Sequence, residues 1–297
     1  ILASFRMAAP YTGTAMLPLI IEPADLLSHL PGRADTYAAH AGEADGVLIV
    51  DLCQAGSYAT GHIPGAVSVA PMELVSGQAP AVGKLPDEQR LQDLLTRIGY
   101  SPEQHIIAYD DEGGGWAGRF IWTLDVLGHK AGASYLNGGL PAWIAAGYAL
   151  SSKHAPVREP LPAPPSITIN PAFIATKDDI LASLDDPNTV IWDARSTEEY
   201  LGHKLNSKRG GHIPGAISLD WLRTMDPARQ LRIRTDIQTT LTDLGITPDK
   251  RIITHCQTHH RSGLTYLIGK HLGYDIRAYD GSWSEWGNDE SLPVETS

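Results

Sequence analysis

One short segment holds the residues best suited to chemistry: Cys256-Gln257-Thr258-His259-His260-Arg261-Ser262-Gly263. A lone thiol stands five residues before an arginine, with two histidines between them. The chemistry such a set supports is nucleophilic attack by sulfur. A free thiol titrates near pKa 8.5, so it needs its anion stabilised to react at neutral pH. None of residues 257–261 is proline, which leaves five backbone N–H groups free to converge on one anion. Arg261 adds a planar fork that suits a sulfonate or sulfite oxygen pair, or alternatively ties loop carbonyls or a neighbouring carboxylate. His259 and His260 are weakly charged at pH 7 and serve as neutral donors, partial cations or rim residues. A zinc ion held by Cys256 and these histidines is disfavoured, because adjacent side chains in so tight a loop do not readily converge on one tetrahedral centre. No metal and no cofactor is expected.

The flanking segments say how the loop is held. The β-branched run Ile252-Ile253-Thr254 predicts a buried strand that stops at the cysteine. Apolar residues at helical spacing over 264–272 predict a helix just beyond it. The sulfur therefore sits where a strand ends and a helix begins, at the electropositive end of that helix. Residues 91–98 and 241–244 read as further helices stopping at Gly99 and Gly245. Short apolar strands alternating with amphipathic segments imply an α/β fold, a parallel sheet flanked by helices. In such sheets ligands bind just beyond the carboxyl ends of the strands.

The chain also repeats itself. Gly61-His-Ile-Pro-Gly-Ala-Val-Ser-Val returns as Gly211-His-Ile-Pro-Gly-Ala-Ile-Ser-Leu, and the match extends in both directions. Asp51 and Tyr58 pair with Asp193 and Tyr200, residues 98–110 pair with 244–256, and Asn137-Gly138 pairs loosely with Asp280-Gly281. A period of about 145 residues is a whole domain, too long for a solenoid repeat. The expected organisation is an N-terminal domain over 17–150, a connector over 151–171 stiffened by Pro156, Pro160, Pro162, Pro164, Pro165 and Pro171, and a C-terminal domain over 172–293. Residues 1–15 lack a clear signal pattern and are left out of the fold reasoning.

The duplication places Asp110 opposite Cys256. The first loop reads Asp110-Asp-Glu-Gly-Gly-Gly-Trp and carries three carboxylates where the second carries the thiol, the histidines and Arg261. Chemistry is therefore expected in the second half alone, with the first half covering or shaping its site. His62 and His212 occur in both copies and read as structural. Cys53 follows a strand, has no partner motif and reads as inert packing.

Bulk properties exclude several functions. The 297 residues carry 23 Lys and Arg against 34 Asp and Glu, a formal charge of −11, which argues against nucleic acid and anionic membranes as partners. Two cysteines cannot build a disulfide scaffold. No apolar run approaches the ~18 residues of a membrane span, and a cytoplasmic location is the default expectation.

The tandem copies, the two Gly-His-Ile-Pro-Gly-Ala motifs, Asp193-Ala194-Arg195 and the single Cys-Gln-Thr-His-His-Arg-Ser loop together resemble a tandem-domain rhodanese, from about residue 17 to residue 293. The resemblance implies two duplicated rhodanese-like domains. It also implies a ping-pong sulfurtransferase: thiosulfate gives its outer sulfur to catalytic Cys256, sulfite leaves, and the persulfide passes sulfur to cyanide or another thiophile. Gln257, Thr258, His259, His260, Arg261 and Trp221 would then bind substrate, with Trp221 as an apolar wall or else core packing, and Asp193 and Arg195 as supports. Two departures leave the physiological donor open. Histidines stand inside the loop where several members carry basic residues, and Glu199 is acidic where several carry arginine. The alternatives are a carrier that hands persulfide to a sulfur-relay protein, and a cysteine-dependent phosphatase or arsenate reductase. In the latter the arginine lies six residues after the cysteine, whereas here the step is five.

Overall fold

A computed structural model of the protein describes residues 17–29, 46–54, 56–153 and 165–296. The N-terminal stretch set aside above lies outside the described residues. So do Pro156, Pro160, Pro162 and Pro164 of the expected connector.

The first half builds a five-stranded parallel sheet. Its strands are β1 (Ile20–Ile21), β2 (Val47–Asp51), β3 (Val67–Ser68), β4 (His105–Tyr109) and β5 (Ala133–Leu136), arranged in the order β1-β5-β4-β2-β3. The central strands β2 and β4 are buried almost throughout, as expected of strands covered on both faces. Around them lie α1 (Pro23–His29), α2 (Ser57–Thr60), α3 (Glu88–Arg97), α4 (Gly115–Val126) and α5 (Gly139–Ala145).

The second half repeats the plan. It contains α6 (Lys177–Ser183), β6 (Thr189–Asp193), α7 (Thr197–Tyr200), β7 (Ile217–Ser218), a short antiparallel pair β8 (Met225–Asp226) and β9 (Arg232–Ile233), α8 (Ile237–Asp243), β10 (Arg251–His255), α9 (Arg261–His271), β11 (Asp275–Ala278) and α10 (Ser282–Trp286). The sheet order is β11-β10-β6-β7, all parallel. A bridge from Ile174 to Ala278 stands where β1 meets β5 in the first half. The helices expected before Gly99 and Gly245 are α3 and α8, and both glycines adopt positive φ, 67° and 80°.

The repeated motif has one job in both copies. The imidazole of His62 stacks on Tyr58 at 3.8 Å and bonds the Tyr58 carbonyl through Nδ1, while its backbone pairs with Ser151. His212 does the same with Tyr200 at 3.7 Å and pairs with Glu295. Each tyrosine hydroxyl in turn donates to the carbonyl of the motif's alanine, Ala66 or Ala216. These histidines fasten the end of each half to its sheet, the structural role expected of them.

The two halves meet along α4 and α9, the helices that follow the paired loops. They cross so closely that a Cβ added at Gly118 would overlap the carbonyl of Gly263, and one at Gly263 would overlap the carbonyl of Gly115. Tyr266 and Lys270 of α9 both bond Asp125 of α4, and Arg232 pairs with Glu22 across the same boundary. Leu264 packs in one hydrophobic cluster with Trp116, Phe120 and Tyr135, so the interface is continuous with the core.

Backbone-on-backbone contact leaves no flexible atom to yield. Gly263→Ala is therefore expected to lower the free energy of unfolding by about 1–3 kcal/mol, the usual cost of overpacking. Denaturant titration measures it; an unchanged midpoint would show that the helices part without cost.

Candidate functional site

Two loops leave matching strand ends, and each is built around an anion. In the first half, the Asp110 carboxylate accepts N–H bonds from Glu112 (3.2 Å), Gly113 (3.1 Å), Gly114 (2.8 Å) and Ala117 (3.0 Å). The loop thus closes on a carboxylate that it supplies itself. Burial, followed by the neighbouring charge of Glu112, still lifts that carboxyl from 3.8 to about 6.

In the second half the same position holds Cys256, fully buried at the end of β10. Its carbonyl accepts from Trp283 at 3.0 Å, as the Asp110 carbonyl accepts from Leu140 at 2.9 Å. Residue for residue, His259 replaces Gly113, His260 replaces Gly114 and Arg261 replaces Gly115. Gly113 has φ 101°, and His259 is held in the left-handed region at φ 55°. A side chain there costs about 1–2 kcal/mol. The strained backbone is the conformation that lets the loop curl.

Burial alone would raise the Cys256 thiol, but the opposing influences prevail and hold it below its ordinary value. In order they are the charge of Arg261, the N–H and hydroxyl of Ser262, and His260. A helix start and hydrogen bonds to the charged form act together here. The Ser262 hydroxyl lies 2.7 Å from His259 Nδ1. Burial pushes His259 far below the usual imidazole range, so the ring is neutral. With its proton on Nδ1, it donates to Ser262, whose own proton is then free for the sulfur.

The sequence-derived candidates fall into distinct places. Arg261 does not present a free fork. Its Nη1 and Nη2 donate to both oxygens of Glu199, at 2.6 and 2.9 Å. Glu199 also accepts from Asn206 and from the Ser196 N–H. Burial raises the Glu199 carboxyl, but the Arg261 partner outweighs it and brings it from 4.5 down to about 2. The acidic residue noted as a departure is thus the counter-ion of the loop arginine. Gln257 turns its amide to the Asn206 carbonyl and the Ser207 hydroxyl, leaving its backbone for the loop. Thr258 is half-buried and packs under Gly83 of the first half. His260 stacks on Trp116 at 4.3 Å, leans on Trp221 at 5.6 Å and bonds Glu112. Trp221 is therefore next to the loop, held by its N–H on the Ala194 carbonyl.

Asp193 and Arg195 form a fully buried pair, with Arg195 stacked over Trp283 at 4.3 Å and bonded to the Gly211 carbonyl. Their counterparts in the first half are Asp51 and Cys53, with the Cys53 N–H on the Asp51 carboxylate at 2.8 Å. Cys53 thus occupies a scaffold position. Burial and then Asp51 and Asp111 push its thiol far up.

Sequence reasoning passed over Ser262, Trp116, Glu112 and Arg119. Ser262 was visible within the loop itself. The other three reach the site only through the α4–α9 crossing, which no local pattern encodes. Among the described residues no group of three or more His, Cys, Asp or Glu is arranged to hold a metal ion.

A strand-end cysteine in an amide-lined loop, on one of two duplicated α/β units, defines a class, and comparison with known proteins gives its family. The rhodanese-like domain model matches residues 34–146 and 176–289, so the chain belongs to the rhodanese-like family and carries the domain twice. It is 50% identical to a thiosulfate sulfurtransferase of Azotobacter vinelandii, over 95% of this chain and 98% of that one. It is 51% identical to a thiosulfate sulfurtransferase of Pseudomonas aeruginosa, over 94% and 97%. A sulfur carrier protein of Thermus thermophilus, TtuD, is 30% identical over 80% of this chain and 86% of that one. Among solved structures, EanB shares the fold, with a TM-score of 0.75 and 24% identity over 85% of this chain and 64% of that chain. The class read from the sequence, a sulfurtransferase working through a cysteine persulfide, accords with these relatives.

The Glu199 pair has a pH signature. A carboxyl depressed from 4.5 to about 2 on folding contributes stability that is complete above pH 4.5 and is lost as pH falls toward 2. Glu199→Gln is expected to be less stable at pH 7 and to lose less on acidification through that window. Denaturant midpoints between pH 7 and 2.5 test it; parallel curves for the two proteins would refute the assignment.

Proposed function

We propose that this protein moves sulfane sulfur from thiosulfate to cyanide or another small thiophile, with Cys256 as the sulfur carrier. The observation that carries the reading is a fully buried thiol held below its ordinary pKa by Arg261 and Ser262. In the first half-reaction the Cys256 thiolate attacks the outer sulfur of thiosulfate. A bond from Sγ to that sulfur forms, the S–S bond of thiosulfate breaks, and its electron pair leaves on sulfite. In the second, the thiophile attacks the terminal sulfur of the persulfide, and the Sγ thiolate is restored. The terminal persulfide sulfur bears the same charge as the thiolate, so the same N–H groups and the Ser262 hydroxyl serve both resting states.

Glu199 neutralises Arg261, so the arginine acts here mainly by fixing the loop and polarising the sulfur. We assign the reception of the sulfonate oxygens to loop N–H groups and the edge of His260, with Trp116 and Trp221 as the apolar walls. Both cysteines are free, and we place the reaction in a reducing compartment, the cytoplasm. A second reading has support in the TtuD relative: the persulfide passes to a protein thiol in a relay. The burial of Cys256 favours the small acceptor, since a partner's thiol reaches it only if the loop rim opens.

Intact mass after thiosulfate treatment is expected to rise by one sulfur atom, and Cys256→Ser should stay unmodified. An unchanged mass in the parent protein would refute the reading. Cys53→Ser is expected to retain thiocyanate formation within about twofold, as a substitution in inert packing should. Fast transfer to a protein thiol combined with slow cyanide turnover would favour the relay.

A further inference from the structure

Arg119 lies on α4, in the half whose loop carries Asp110 in place of a cysteine, and is completely buried. Its Nη2 donates to the Leu74 carbonyl at 2.8 Å, while Nε and Nη1 have no partner. Among the described residues no carboxylate lies within ion-pair distance of it, in contrast to Arg261, paired with Glu199, and Arg195, paired with Asp193. An unpaired buried guanidinium is expensive to keep, and its presence asks for an anion close by.

Its surroundings say which anion. The backbone of Arg119 packs on Gly263, two residues beyond the loop arginine. Its Cζ stands 4.6 Å from the Trp122 ring, and that ring meets His259 edge-on at 4.5 Å. His259 Nε2 is also buried without a partner, and with the proton on Nδ1 it is an acceptor. From His259 the chain runs through Ser262 to the sulfur.

We propose that Arg119 is a positioning residue of the sulfur site: its charge, set behind His259, keeps that ring's proton on Nδ1 and so keeps Ser262 donating to the Cys256 thiolate and persulfide. Burial lowers the guanidinium to about 10, with Asp280 and Cys256 acting the other way, so it stays charged at neutral pH. The groups facing the sulfur are Arg261, Ser262 and His260, and those facing Arg119 are Asp280, Cys256 and His259. Asp280 is the one carboxylate in that set. It opposes Arg119 and is fixed by the Leu85 N–H at 3.1 Å.

The proposal rests on the persulfide reading above, but its test does not depend on sulfur transfer. In a Cys53→Ser background, the pH dependence of Cys256 alkylation by iodoacetamide gives the thiolate midpoint directly. Arg119→Met is expected to raise that midpoint by about one unit, a tenfold loss of thiolate, and to shorten the persulfide lifetime. Arg119→Lys should bring the midpoint back most of the way, a rescue that a purely packing role would not produce. Where Arg119→Met fails to fold, Asp280→Asn decides. It keeps an acceptor for Leu85 and removes the opposing charge, so the midpoint should fall. A midpoint unmoved in folded Arg119→Met, or unmoved in Asp280→Asn when the Met variant does not fold, overturns the proposal. Failure of persulfide formation in the parent protein would instead sink the sulfurtransferase reading and leave the alkylation result standing.

Discussion

Everything at this site depends on backbone N–H groups converging where a parallel strand hands over to a helix. Such a place is electropositive because the first turn of a helix leaves its donors unpaired. The duplication shows the consequence twice. One loop answers its own donors with the Asp110 carboxylate, which takes four N–H bonds. The other holds the Cys256 sulfur in the same frame. One loop is filled by a carboxylate and the other by a thiol whose anion is favoured by its surroundings. The contrast in titration follows from the surroundings. Asp110 is buried beside Glu112 and is pushed up, whereas Cys256 is buried beside Arg261 and is held down. The charge beside each group differs in sign, Glu112 in one loop and Arg261 in the other.

The half without a cysteine in its loop is more than a cover. Its helix α4 crosses α9 at glycine contact, which brings Gly115, Trp116 and Arg119 against the reactive loop. Glu112, in the Asp110 loop, bonds His260 of the Cys256 loop. Gly83 packs on the backbone of Thr258, and Leu85 and Lys84 tie to Asp280 and Glu285. These contacts come from three segments of the first half. The loop's shape, including the strained φ of His259, is therefore over-determined by both halves, as a strained functional backbone must be.

What the sequence made legible was local or repeated. A strand, a cysteine and a helix in succession could be read from Ile252 through Leu272, and the helix ends from Gly99 and Gly245. The domain count came from the repeated motif, whose histidines proved to be fasteners. What it hid was pairing across distance. Arg261 and Glu199 are 62 residues apart, and no pattern in either neighbourhood announces that one neutralises the other. The acidic residue could only be noted as a departure from expectation. Arg119 is more remote still, since it reaches the loop through a helix crossing set by small residues.

The charges around the sulfur explain how a protein of net charge −11 can serve an anionic donor. Arg261 and Arg195 each sit against a carboxylate. Paired charges contribute little long-range field, so they draw no anion from solution and instead fix geometry. What remains beside the sulfur is the Ser262 N–H and hydroxyl, with the Arg119 guanidinium behind, which has no ion-pair partner among the described residues. Dipoles of this kind are oriented before the substrate arrives and act in a water-poor setting, where they are worth far more than at a surface.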